Sequence, residues 1–233
     1  MTADDGQDGS AIAGSDGAGV RCRLLVPDEF AEAVELVTVA VAELSFYRWL
    51  FGDAMSDEAL RWAAERKCGC VRQGGSIGAF DTDGRLVGLL VLNHPGQPAP
   101  TTTDDQLSFL TELVKANLDI ARRFQMLRKT AEQHPVRPDA IDVAHAVVEP
   151  RLRNSGILRT LAIAAYEVAM ERGHPLTLRT NVPELAVAYR EKLLCVDTGS
   201  YVDASGATTW VLGQEVADMP AAIARLRART STV

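Results

Sequence analysis

Long apolar runs are missing from this 233-residue chain. No stretch approaches the ~18 consecutive apolar residues a membrane-spanning helix requires, so an integral helical membrane protein is not expected. The opening residues MTADDGQDGS lack both the basic start and the apolar core of a secretory signal. Together these absences set the expectation of a cytoplasmic protein without a membrane partner. Cysteine is scarce: Cys22, Cys68, Cys70 and Cys195 are too few and too scattered for a disulfide scaffold. Only Cys68 and Cys70 lie close together. With no second pair at ligand spacing no metal site is expected, and the two read as small half-buried residues near a helix end. An excess of basic residues is lacking too. The formal net charge is -7, and the first twenty residues hold Asp4, Asp5, Asp8 and Asp16 but no Lys or Arg. An acidic body grips a phosphate backbone poorly, so nucleic acid is not an expected partner.

What is present divides into three stretches. Residues 1–20 are Gly, Asp, Ala and Ser with almost no large apolar side chains, and are expected to be a disordered tail. Residues 21–214 carry the periodic patterns of a folded domain, and 215–233 read as a basic C-terminal helix and tail. Within the domain, Arg21 to Val26 reads as a strand. Pro27-Asp28 opens a helix with Phe30, Val34, Val37 and Val41 on one face. A second helix holds Phe46, Trp49 and Leu50, and a third runs from about Ser56 to the Gly74-Gly75 break. Strands at 76–80 and 85–93 flank the turn Asp81-Thr82-Asp83-Gly84. Thr103 with Gln106 reads as a capping box, and the apolar phase shifts between Asp105 and Gln133, which predicts a kink or two helices. A strand at 140–148, a helix from Gly156 to Arg172 with Gly173 as its stop, a strand at 176–180, a helix at 183–194 and strands at 195–203 and 207–213 complete the order. This is an α/β (α+β) protein with a single mixed sheet of about seven strands flanked by helices.

The most informative segment is Val148-Glu149-Pro150-Arg151-Leu152-Arg153-Asn154-Ser155-Gly156-Ile157-Leu158. A buried strand runs into a turn of basic and small residues that opens a long helix. Amides at such a helix start are unpaired and the helix dipole adds partial positive charge, which suits a pyrophosphate. The segment resembles the acetyl-coenzyme A motif of the GCN5-related N-acetyltransferase family, roughly V-x-P-x-x-[QR]-G-x-G-[IL]-[GA]. Val148, Pro150, Arg153, Gly156 and Ile157 match it. Asn154 replaces a Gly, and Asn tolerates a left-handed backbone. Leu158 replaces a small residue and stands where the pantetheine arm would be crowded. Leu176 to Asn181 followed by Tyr189 resembles the family's second motif, with its Gly-Phe replaced by Leu193-Leu194. Glu43 to Asp53 and Thr208 to Val211 resemble the branch that includes puromycin N-acetyltransferase.

The resemblance implies acetyl transfer from acetyl-coenzyme A, as co-substrate, to a primary amine of a small molecule, an antibiotic or an amino-acid-derived metabolite, by a monomer or homodimer. It places coenzyme binding at Val147, Val148, Arg153, Asn154, Ser155, Gly156, Ile157, Leu158 and Asn181. The backbone amide of Val148 would receive the charge growing on the thioester oxygen. Tyr189 would protonate the leaving thiolate. The base stays open between Glu43, Asp142, His145 and a chain of waters. Phe46, Trp49 and His145 are candidates to wall the amine pocket. The departures at Asn154, Leu158 and Leu193-Leu194 keep two alternatives open: a coenzyme A-binding or regulatory module without turnover, or an acyltransferase with a longer acyl donor.

Overall fold

A computed structural model describes residues 19–228 of the chain. The strands are β1 (Arg21–Leu24), β2 (Ile77–Phe80), β3 (Leu86–Asn93), β4 (Ile141–Val148), β5 (Leu176–Thr180), β6 (Val196–Val202) and β7 (Thr208–Gln214). The helices are α1 (Phe30–Glu43), α2 (Ser45–Phe51), α3 (Asp57–Cys68), α4 (Asp104–Ala116), α5 (Leu118–Gln133), α6 (Ile157–Arg172), α7 (Pro183–Leu193) and α8 (Met219–Ala228). The strands form one sheet in the order β1-β2-β3-β4-β5-β7-β6, antiparallel throughout except for β4 beside β5. The expected seven-stranded mixed sheet is therefore the one found. Of the segments expected to be tails, residues 1–18 and 229–233 lie outside the described residues, while 215–228 are described and carry α8. Val20, at the end of the first of them, is buried, so packed structure begins two residues before Cys22.

Local chemistry sets the element ends. Thr103 Oγ1 accepts from the Gln106 amide while the Gln106 side chain accepts from the Thr103 amide, so the capping box opens α4 as its residues dictate. Asn117 then takes an extended conformation, and its side chain accepts from the Asp119 amide and starts α5. The phase shift in the sequence is thus a break between two helices. Gly173 closes α6 in the left-handed region at φ 68°.

Two layers cover the sheet. On one face α1 to α5 gather around Phe51, Trp62, Val37 and Val41, with Val147 of β4 beneath them. The Trp62 indole N–H donates to the Gln106 carbonyl (2.9 Å), which ties α4 to α3. On the other face α6 and α8 pack on Ile77, Leu90 and Ile141, and α7 closes a smaller cluster over Leu178 and Leu212. Alternation along β4 sends Val143, Ala146 and Val148 to the α6 side and Val147 to the α1 side. A register shift opposite Val91 and Leu92 leaves Ala144 as an extra residue, packed on the α1 side. No helix among the described residues is long and apolar enough to cross a membrane.

Candidate active site

The site begins where two parallel strands part. β4 and β5 pair only at Ile141–Leu176, Asp142–Thr177 and Val143–Leu178. Beyond that vertex β5 stays with β7, through Arg179–Val211 and Thr180–Trp210, while β4 continues along β3 as far as Val148. The far edge of β4 therefore has no strand partner from Ala144 onward. The Glu149 amide donates to Val87 O (2.9 Å), so alternation turns the Val147 amide toward β3. The amides of Ala146 and Val148 then point the other way, into the gap. Val148 was expected there from its motif. Ala146 was not, because its direction follows from strand parity once the partner of Glu149 is known.

The gap leads to the turn before α6. Asn154 sits at φ 66° and Gly156 at φ 96°, both left-handed, so Asn adopts the geometry that glycine has elsewhere in the motif. The Arg153 amide donates to Pro150 O (3.4 Å), and the Ser155 amide and hydroxyl both donate to Leu152 O (3.3 and 2.6 Å). Those two amides are spent within the turn. The amides of Asn154, Gly156, Ile157 and Leu158 have no acceptor among the described residues, and no side chain caps the helix. A helix start left this way is an anion seat, open for a diphosphate.

Tyr189 reaches the vertex from the α6 side. It is buried in the cluster of Leu178 and Leu212, against which Val143 and Leu158 pack, so both residues of the last β4–β5 pair lie in its surroundings. Its hydroxyl has no hydrogen-bond partner among the described residues. Burial, helped by the nearby Cys195, pushes the phenol up to about 12, so it stays protonated at neutral pH. Leu158 bridges the α6 and α7 clusters with its side chain partly buried. Asn181 is bound into the β6–β7 turn, where its amide nitrogen donates to Asp203 (2.9 Å). Its carbonyl oxygen and its second amide hydrogen are left to face a ligand.

The base candidates fall in different places. The Glu43 carboxylate, at the end of α1, makes an ion pair with the Arg153 guanidinium (2.6 Å), so it stands beside the anion seat. Phe46 and Trp49 follow it on α2, their rings 5.7 Å apart and partly exposed. Asp142 lies four residues before Ala146 on β4, about 13 Å along the strand. Its carboxylate accepts from Thr177 (3.3 Å) and Asn93 (3.5 Å), and burial raises it. Asp142 is thus too far from the Ala146 and Val148 amides to take a proton there directly. His145 is held down to about 3, first by burial and then by the charge of Lys67, against a backbone hydrogen bond with Ala144. It is neutral at physiological pH and weakly basic, which suits a pocket wall better than a base.

That depressed imidazole has a consequence for stability. The unfolded chain binds a proton at His145 below about pH 6.5, whereas the folded chain resists until about 3. Stability contributed by the neutral ring is therefore lost as the pH falls through this window, and the raised Asp142 opposes part of the loss. Urea unfolding between pH 7 and pH 4 should show a declining midpoint. His145→Gln should flatten the decline by roughly 2–4 kcal/mol across the window; an unchanged slope would show that the ring is not buried neutral.

Comparison with known proteins adds the fold's kinship. The chain aligns over 84% of its length with 87% of a putative arylalkylamine N-acetyltransferase 7 from the yellow fever mosquito Aedes aegypti, at TM-score 0.57 and 13% identity. It aligns over 81% of its length with 91% of a protein described as histone acetyltransferase HPA2 and related acetyltransferase from Corynebacterium glutamicum, at TM-score 0.55 and 18% identity. Arylalkylamine N-acetyltransferase 2 from Aedes aegypti gives TM-score 0.55 and 13% identity over 84% of this chain and 99% of that one. The fold is thus that of acetyltransferases. No family model and no curated protein sequence matches the chain.

Proposed function

We propose that this protein transfers an acetyl group from acetyl-coenzyme A to a primary amine of a small molecule. The observation that carries the reading is the forked sheet, whose freed β4 edge presents two amides and runs straight to an uncapped helix N-terminus. Bound there, the coenzyme supplies an activated acyl group and a thiolate leaving group. The chain's own residues supply the rest. The amides of Asn154, Gly156, Ile157 and Leu158 hold the diphosphate, with Arg153 beside them. The Ala146 and Val148 amides receive the charge that grows on the thioester oxygen, at no reorganisation cost because a strand fixes them. Glu43 receives the proton of the attacking amine through a chain of waters, once a diphosphate draws Arg153 away from it, because the pantetheine arm separates the seat beside Glu43 from the thioester. Tyr189 donates to the departing sulfur. Amine and thioester become amide and thiol. Phe46, Trp49 and His145 face the acceptor, and the likeness of residues 43–53 to the puromycin N-acetyltransferase branch supports a small amine such as an antibiotic or an amino-acid-derived metabolite.

The test is thiol release from acetyl-coenzyme A across a panel of aminonucleosides and arylalkylamines, paired with thermal shift by coenzyme A. Release with at least one amine, and a melting temperature that rises with millimolar coenzyme A, are the expected results. A shift without release on any amine would instead favour a binding module. Faster release from longer acyl thioesters would favour a different donor. No shift at all would remove the coenzyme from the reading.

A further inference from the structure

On the face of the sheet opposite α6 and α7, a hollow of about 450 Å³ lies over β5, β7 and β6 beneath the end of α5. Its floor includes Thr177, Arg179 and Val211, and its wall includes His134 stacked on Tyr201 at 4.1 Å. Arg179 directly follows Leu178 of the vertex pair, so the inner end of the hollow opens at the fork. One Arg179 nitrogen donates to His134 O (3.0 Å), which aims the guanidinium and leaves its other N–H groups to a ligand.

Arg179 and Lys67 both lie close enough to Asp142 for their charge to be felt there, and Lys67 acts on His145 and Cys70 as well. Lys67 is exposed at the end of α3, and desolvation lowers its pKa against the charges of Asp142 and Cys70. Asp142 is the carboxylate among these groups, and His145 is neutral. The other cation of the hollow, Arg137, is spent on Asp139 (2.8 Å) and Glu215. Arg179 therefore lines the hollow with one N–H bonded to a backbone carbonyl and no ion pair to a carboxylate among the described residues. Such a charge favours an incoming anion, and a guanidinium matches a carboxylate with two parallel hydrogen bonds.

We propose that this hollow receives a carboxylate of the acceptor, so that the favoured substrates are amines bearing an acid group roughly 7–10 Å from the nitrogen. The span follows from the register. Arg179 follows the last paired position, Val143–Leu178, so it lies about 7 Å short of Ala146 along the strand direction, to which the sideways step across the parted strands adds. The His134–Tyr201 stack and Val211 offer an apolar wall for the ring or chain that joins the two groups. This substrate class rests on the transfer reading above, and the test separates the two.

Binding is measured by calorimetry on the full chain in the presence of coenzyme A, with 4-ethylbenzoate and its methyl ester as probes that carry no amine. The acid should bind at least about tenfold more tightly than the ester. Arg179→Gln and Lys67→Met should each shrink that ratio at least about fivefold, and Arg179→Lys should retain most of it. Melting curves establish that each variant is folded, and Lys67→Met reports independently of the Arg179 contact to His134. Equal binding of acid and ester, no binding of the acid at millimolar concentration, or ratios unchanged in both charge-removing variants would each overturn the proposal. In parallel, thiol release is followed with 4-(2-aminoethyl)benzoate and 2-phenylethylamine, where the acid-bearing amine should show the higher kcat/KM. Carboxylate preference in the calorimeter with no thiol release from any amine would support the hollow's anion site and count against the transfer chemistry alone.

Discussion

Tyr189→Phe should lower kcat about 100-fold while leaving the affinity for coenzyme A within twofold of the parent. The expectation follows from where the ring sits. It is packed in the Leu178 cluster at the vertex, so a phenylalanine fills the same volume and the cluster survives. What is lost is one hydroxyl proton. Burial raises the phenol to about 12, which in water would make it a poor donor to a thiolate. The same burial raises thiols: Cys68, enclosed on α3, is pushed up to about 12. A thiolate formed in the closed fork experiences a similar penalty, so donor and acceptor are matched where they meet. The matching predicts that the defect is worst for acetyl-coenzyme A and smallest for a thioester with an electron-poor thiol, whose leaving sulfur needs no proton. Steady-state kinetics with both donors would read this. A uniform defect, or none, would take the hydroxyl out of the mechanism.

The sheet and its helices were legible because each rests on local chemistry. The Thr103–Gln106 box, the left-handed Gly173 and the Asp81–Gly84 turn announce their own geometry. The bend before α6 was legible for the same reason, down to a left-handed Asn154. Leu194 shows the limit of such reading. It closes α7 at φ 65°, a backbone that glycine adopts freely and leucine resists, so the chain turns there without a residue that announces it. Illegible features depended on which distant segments meet. The Ala146 amide matters only because β3 claims its neighbours on either side. Arg179 and Lys67 are 112 positions apart and come within reach of Asp142 only after α3 and β5 settle around β4. Asp142 was visible as a carboxylate on the central strand, yet its distance from the open amides is set by where β5 leaves.

Gly156→Val should weaken coenzyme A binding at least about 50-fold, and Asn154→Gly should leave it equal or slightly tighter. Holding a β-branched residue at φ 96° costs about 1–2 kcal/mol or more before any ligand is considered, and relieving that strain turns the backbone toward negative φ. The larger loss is directional. Gly156 precedes the first turn of α6, and its rotation swings its own amide and that of Ile157 away from their common focus, so several hydrogen bonds to one diphosphate fail together. Asn154 already occupies the left-handed region, and glycine there removes only a side chain that is exposed to solvent. The two substitutions therefore separate backbone shape from side-chain chemistry at left-handed positions one residue apart on either side of Ser155. Calorimetry with coenzyme A and with desulfo-coenzyme A, which keeps the diphosphate, should give the same ranking for both ligands. If Gly156→Val bound either ligand like the parent, the turn would not be where the phosphates sit, and the forked sheet would need another explanation.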